Sequence, residues 1–272
     1  MKNTKEPKEH YIPELGIKYP EDPSEHMDLK PPKVDFVLDE DYPFLNRSFG
    51  FKLIRFFIDT AIICLVFPLC SIRYDLRIEG RENLKKYKKE LKDGALVVCN
   101  HVQRWDFLFI RKAIRYRTLN FPAWPHNLRG SDRHVIRLVG GIPVPDKLSL
   151  MKKFNAVFDK LHEEKRWLSV FPESASWHYY PYIRPFKKGM FTMAQKYNIP
   201  VLPLAISWRP PYGIFKLYKK GMPLATIRIG EPIYLNSDLN RKDAVQDLRK
   251  RTHQKIVELA GIKNNPFPAE GD

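Results

Sequence analysis

A single α/β domain is the fold class this sequence predicts: a mixed, partly parallel sheet flanked by helices, plus an N-terminal apolar helix at a membrane interface. Two observations carry the domain. Short β-branched runs alternate with stretches of helical spacing between residues 75 and 260, and that alternation belongs to layered α/β folds. One such run, Ala95-Leu96-Val97-Val98-Cys99, ends at Asn100-His101 where helical spacing begins at Trp105. Open α/β sheets place ligands at strand carboxyl ends. The helix rests on the apolar stretch of residues 49–73.

Residues 1–46 form a polar, proline-rich tail. Residues 1–45 hold 6 Lys and 11 Asp/Glu, a net of −5, so the remainder carries +21 of the overall +16. The folded part is strongly basic, which suits nucleic acid, an anionic membrane or an anionic small molecule. No helix-turn-helix, zinc-finger or RNP pattern is present, so nucleic acid is not expected. The polar N-terminus has no leader pattern. Cys64, Cys70 and Cys99 lack metal-site spacing; they read as reduced thiols, and no metal is expected.

Within residues 49–73, the apolar run from Phe56 to Leu69 contains Asp59 and meets Pro68. A spanning helix needs roughly 20 mostly apolar residues, and Pro68 is expected to kink or end this one. The reading is a monotopic helix lying in the interface on the cytoplasmic face; the alternative is a buried core helix. Asp75–Gly80 reads as a strand and turn, and Asn83–Leu91 as a basic helix.

Residues 105–116 have helical spacing, with Phe109, Ala113 and Tyr116 on one side. Residues five apart do not share a helix face. His101 therefore precedes the helix and Asp106 lies in its first turn. The turn folds the imidazole back onto the carboxylate, fixing the tautomer and freeing the other ring nitrogen as a base. The alternative is simple capping, with His101 merely exposed. Leu119–Lys147 is rich in Pro and Gly and contains Arg129, Arg133, His134 and Arg137. Leu148–Trp167 is an amphipathic helix with Met151, Phe154, Val157, Phe158 and Leu161 facing the core. Trp167–Phe171 is a strand ending in Pro172-Glu173; Gly189–Tyr197 is a helix, Val201–Ser207 and Leu224–Ile229 are strands, and Asp238–Leu259 is the last helix.

Four blocks occur in order: Asn-His-Val-Gln-Arg-Trp-Asp (100–106), Gly-Gly-Ile-Pro-Val-Pro-Asp-Lys (140–147), Phe-Pro-Glu-Ser (171–174) and Ile-Pro-Val-Leu-Pro-Leu-Ala-Ile (199–206). In that order the chain resembles the glycerolphosphate and lysophospholipid acyltransferase family across residues 75 to 235. The chain then divides into an acidic tail at 1–46, a membrane-associated helix at 47–73, an acyltransferase domain at 74–262 and a C-terminal tail at 263–272. The resemblance implies transfer of a fatty acyl group from acyl-CoA or acyl-carrier protein, as co-substrate and without a further cofactor, to a lysophospholipid at a membrane. The likeliest acceptor under it is 1-acyl-glycerol-3-phosphate. His101 is then general base, oriented by Asp106, and no covalent intermediate is needed, consistent with the lack of a G-x-S-x-G elbow.

The substrate-binding residues that the resemblance implies are Arg129, Arg133, Lys147, Glu173, Arg184 and Lys187. The family's Asp-Arg falls on Pro145-Asp146 or, with one inserted residue, on Asp146-Lys147; the second keeps a cation. The family's Gly-Thr-Arg after Pro-Glu is replaced by Ser174-Ala175-Ser176. No arginine function passes to Ser176, and Arg184, Lys187 or Lys188 stands in for it. Glu173 either binds an acceptor hydroxyl or orients a basic residue. Backbone N–H groups at the helix after His101 are candidate oxyanion donors. The altered block leaves another lipid or alcohol acceptor open. Two further readings stand beside transfer: a non-catalytic basic membrane-binding protein, and a lipid hydrolase using the same pair to activate water.

Overall fold

The structure, a computed structural model, describes residues 10–27, 38–115, 117–129, 133–219 and 221–269. The elements are α1 (Phe49–Ala61), α2 (Phe67–Tyr74), β1 (Arg77–Glu79), α3 (Arg81–Lys86), β2 (Leu96–Cys99), α4 (Asp106–Ala113), β3 (Leu119–Ala123), α5 (Arg133–Leu138), β4 (Gly141–Pro143), α6 (Met151–Glu163), β5 (Trp167–Val170), α7 (Gly189–Tyr197), β6 (Val201–Arg209), α8 (Ile214–Lys219), β7 (Leu224–Ile229) and α9 (Arg241–Ala260). Seven strands form one α/β sheet in the order β1-β7-β6-β2-β5-β3-β4. Every neighbouring pair is parallel except β6 with β7. The mixed sheet of the sequence reading is therefore mostly parallel.

Central strand β2 shows why. Its four residues are all buried, as both faces of a parallel sheet are covered. Leu96 and Val98 join the core beneath α6, α7 and α9, while Val97 and Cys99 join the core beneath α2 and α4. Alternate side chains of a strand point to opposite faces. On α6, Phe154, Val157, Phe158 and Leu161 are buried; each such side chain contributes about 1.5–3 kcal/mol of transfer free energy. Burial holds the Cys99 thiol well above its usual pKa, which suits a packed strand residue and not a nucleophile.

Strands β3 and β4 had no counterpart in the sequence reading, because Pro122, Gly141 and Pro143 read as loop. Register explains how β3 tolerates Pro122. It pairs with β5 only at Leu119 and Asn120, then with β4 from Phe121 to Ala123. The missing N–H of Pro122 thus falls beyond the stretch paired to β5. Gly140 turns the chain into β4 at φ +110°, where an added Cβ would lie 2.1 Å from the Leu119 carbonyl oxygen. Only glycine fits there. Tyr116, expected beside Phe109 and Ala113, lies outside the described residues.

The apolar helix is longer than the stretch from Phe56 to Leu69. It runs without a break from Phe49 to Tyr74, 26 residues, long and apolar enough to cross a bilayer by length and composition. Pro68 does not end it. A π-helical segment, Ile62–Val66, precedes α2, and the Phe67 N–H bonds to Ile62 O, five residues back. Pro68 then falls in the first turn of α2, where a missing N–H is tolerated. One side of the helix exposes Phe49, Leu53, Phe56, Phe57, Leu65, Leu69 and Ile72. The other side packs on the domain through Ile62, Phe67, Cys70 and Tyr74. Asp59 is accounted for by Arg111 of α4, whose Nη1 donates to it at 2.8 Å.

Helix α9 carries a buried histidine. His253 packs edge-on against Phe186 at 4.8 Å. Burial holds its pKa below the ordinary value, against the charge of Glu173 and bonds with the backbone of Ile183 and Arg184. Below about pH 6.5 the unfolded chain protonates this histidine before the folded chain does, so folding stability falls as pH falls, by up to about 1.4 kcal/mol per pH unit until the folded pKa is passed. Above that ordinary value the group contributes no slope. Urea midpoints at pH 7.5 and 5.5 are expected to separate in the wild type and to converge in His253→Leu. His26 shares the direction of shift and leaves a residual slope; equal slopes in both proteins would refute the assignment.

Candidate active site

Strands β2, β5, β3 and β4 run the same way, so the residues that follow them meet on one sheet edge. His101 follows β2, Phe171 to Glu173 follow β5, and Trp124 follows β3. Asn100 anchors the end of β2 to β6: its amide donates to Ile206 O at 2.9 Å and its carbonyl accepts from Ile206 N at 2.8 Å.

Asp106 opens α4 and is fully buried. Its Oδ2 faces His101 Nδ1 at 3.0 Å and accepts the backbone N–H groups of Val102 at 2.7 Å and Gln103 at 2.9 Å. One oxygen therefore both closes the turn and holds the imidazole. Burial pushes the Asp106 carboxyl above its usual range, while bonds from His101, Gln103 and Val102 oppose the shift and favour the ionised form. The His101 ring stacks on Phe171 at 4.2 Å and 16°, and its side chain keeps 25% exposure against 1% for Asp106. With Nδ1 turned to the carboxylate, Nε2 is the nitrogen available to a substrate.

The amides of the turn from Val102 to Arg104 are not open to an oxyanion. Those of Val102 and Gln103 bond to Asp106, and that of Arg104 donates to Gln103 Oε1 at 2.9 Å.

Glu173 and Arg184 meet each other: Arg184 Nη2 lies 3.0 Å from Glu173 Oε2, with both side chains 0% exposed. Of the two roles the sequence left open for Glu173, its placement matches the orienting of a basic residue. Glu173 also accepts the backbone N–H of His101 at 2.7 Å and of Arg184 at 2.8 Å. The guanidinium lies over the Trp177 ring at 4.5 Å, donates to Pro23 O at 2.9 Å and to Ala175 O. Both side chains are closed to solvent, so of Arg184, Lys187 and Lys188 the first is taken up by Glu173 while the other two are exposed. Lys187 is exposed on the same loop, with its backbone N–H bonded to Pro172 O at 2.9 Å.

The remaining cations lie on neighbouring segments. Lys147 is exposed at the turn after β4. Arg133 begins α5 and donates through Nε to His134 Nε2 at 3.0 Å. Arg129 closes the short turn Pro125–Arg129; its side chain lies outside the described residues. Sequence reasoning missed Phe171 as the ring under His101, Asn100 as the strand anchor, and the N-terminal segment that reaches Arg184. Among the described residues no group of three or more His, Cys, Asp or Glu is arranged to hold a metal. A cavity of about 510 Å³ lies elsewhere, lined by Arg47, Lys52, Arg55, Asp59, Thr118 and Arg166 among others. Thr118 and Arg166 precede β3 and β5, so this cavity is at the opposite edge from His101.

A histidine held by a buried carboxylate at the open edge of an α/β sheet is an arrangement suited to general acid–base chemistry. Comparison with known proteins gives the class to which this arrangement is similar. A sequence model described as "Acyltransferase" matches residues 75–207, which contain the His101–Asp106 and Glu173–Arg184 pairs. The 1-acyl-sn-glycerol-3-phosphate acyltransferase of Saccharomyces cerevisiae is 24% identical over 205 residues, covering 68% of this chain. The chain spans 59% of that relative's length. The crystal structure of the 1-acyl-sn-glycerophosphate acyltransferase from Thermotoga maritima overlays with a TM-score of 0.46 at 22% identity, covering 79% of this chain and 85% of that one. Residues 75–207 thus carry the sequence pattern of the acyltransferase family.

Proposed function

We propose that the chain transfers a fatty acyl group from an acyl thioester, acyl-CoA or acyl-carrier protein, to the free hydroxyl of a lysophospholipid, with 1-acyl-glycerol-3-phosphate as first acceptor and phosphatidate as product. The observation that carries the reading is the 3.0 Å contact of His101 Nδ1 with the buried Asp106 carboxylate. Nε2 takes the proton of the acceptor hydroxyl as its oxygen bonds to the thioester carbonyl carbon. The carbon–sulfur bond then breaks, and the imidazolium returns the proton to the departing thiolate. Asp106 stabilises the imidazolium between these steps. Phe171 holds the ring plane from below, and Glu173 holds the His101 backbone. In this reading Lys147, Arg133, Arg129 and Lys187 meet the anionic substrates, whereas Glu173 and Arg184 act by bracing the loop.

The enzyme works on a membrane surface in this reading, with the helix from Phe49 to Tyr74 lying in the cytoplasmic leaflet. The exposed apolar side of that helix suits lipid. Its other side, with Asp59 paired to Arg111, stays on the domain, which favours a monotopic seat over a lipid-surrounded span.

Radiolabelled acyl-CoA or acyl-carrier protein, offered with a panel of lysophospholipids and monoacylglycerol, tests the reading. Labelled phosphatidate from lysophosphatidate is the expected product. Release of free fatty acid with no acylated lipid would instead establish a hydrolase.

A further inference from the structure

Residues 10–27 lie outside the stretch matched to the family. They run along the catalytic edge as an extended strap, with half-buried and exposed residues alternating from Tyr11 to Lys18. His10 Nε2 meets Pro181 O at 2.7 Å, and the Tyr19 hydroxyl donates to His178 O at 3.0 Å. The Tyr19 ring packs on Trp177 at 5.6 Å and on Tyr180 at 4.7 Å. Beyond it, two strap carbonyls accept bonds from the groups that frame His101. Glu25 O accepts from Trp177 Nε1 at 2.8 Å, and Pro23 O accepts from Arg184 Nη1 at 2.9 Å. Trp177 N–H in turn donates to His101 O at 3.1 Å.

These bonds tie the strap to the segment from Trp177 to Arg184. Lifting the strap would strip a partner from a buried guanidinium and from a buried indole, and stranded buried donors are costly. The strap ends in a stack of three rings at the carboxyl end of β3. His26 lies on Trp124 at 4.2 Å and 7°, and Trp124 lies on His126 at 4.8 Å and 28°. Burial first, then the charges of His101, Arg184, His126 and Lys187, hold the His26 pKa below the ordinary value. His26 follows Glu25 and lies three residues beyond Pro23, whose carbonyls bond Trp177 and Arg184; Lys187 is exposed three residues beyond Arg184 on that same loop, so the strap brings an imidazole to the end of the site that carries this cation.

We propose that the strap forms the outer wall of the acceptor site and that His26, on its Trp124 ledge, binds the phosphate of the acceptor headgroup together with Lys187. The inference rests on the acyl-transfer reading given above and assigns that reaction a specificity residue from outside the family domain.

His26→Ala is expected to raise the KM for lysophosphatidate about tenfold, the ordinary worth of one hydrogen bond to a charged group. The kcat and the KM for the donor are expected to stay near wild type, and so is the KM for monoacylglycerol, which has no phosphate. An unchanged lysophosphatidate KM in a folded variant overturns the proposal. A rise in activity overturns it too, because the strap would then cover the site and not form it. Should His26→Ala fail to fold, amide exchange of residues 19–27 in the wild type, with and without lysophosphatidate and with no donor present, decides the matter. Slower exchange supports the wall; unchanged or faster exchange with lysophosphatidate bound refutes it. Wild type that acylates nothing sinks the transfer reading alone, since the exchange experiment reads binding without turnover.

Discussion

His101→Ala is expected to lower kcat by about 10²–10⁴-fold, the usual contribution of a positioned general base, while leaving the unfolding midpoint near wild type. The separation of the two effects follows from how His101 is held. Its side chain is one-quarter exposed, so removing it opens no deep cavity. Its backbone N–H keeps the bond to Glu173 and its carbonyl keeps the bond from Trp177, neither of which needs the imidazole. Asp106→Asn is the companion variant. The amide oxygen still accepts the N–H groups of Val102 and Gln103, so the turn survives, but the charge that stabilises the imidazolium is gone. A loss of about 10²–10⁴-fold is expected there as well. Asp106→Ala is a poorer probe, because it also uncaps the two amides at a cost of about 0.5–2 kcal/mol. Product formation with saturating donor and acceptor, beside a denaturation curve for each protein, checks both. Activity within tenfold of wild type in a folded His101→Ala protein removes the base from the mechanism.

Arg184→Ala is expected to destabilise the fold by about 3–5 kcal/mol, the usual consequence of leaving one partner of a buried ion pair alone. Glu173→Ala should cost a similar amount, since it strands the guanidinium and two backbone donors, His101 N and Arg184 N. The double variant is expected to lose clearly less than the sum, because each single change leaves a lone buried charge and the double change leaves none. Urea midpoints across the four proteins give the coupling. Activity should fall with stability in this series, because the same carboxylate fixes the loop that carries the base. If Arg184→Ala stays within 1 kcal/mol of wild type, the pair is open to solvent in solution, and Arg184 returns as a contact for the acceptor.

Local chemistry made part of this legible before any coordinates. The apolar run of β2 stops at Asn100-His101, and a carboxylate five residues on cannot share a helix face with His101. Those two facts alone put the imidazole before α4 and Asp106 in its first turn. The stripe on α6 and the strands β5, β6 and β7 were equally readable, since the period of the burial pattern is written in the residues themselves. Strands β3 and β4 were not, because Pro122, Gly141 and Pro143 oppose strand locally and only pairing along the sheet admits them. Pro68 looked like a helix end for the same reason, and a π-helical turn absorbed it.

The sequence by itself determined the α/β class, the His101–Asp106 pair and the presence of an apolar helix, all set by neighbours within a few residues. Tertiary structure alone decided which charges are spent and which are open. Glu173 and Arg184 are eleven residues apart, and nothing local says that they close on each other. Arg184 to Pro23 spans 161 residues, and Trp177 to Glu25 spans 152. Long-range contacts of that kind depend on the packing of the whole sheet edge, and they bring Pro23 and Glu25 of the acidic tail against Arg184 and Trp177.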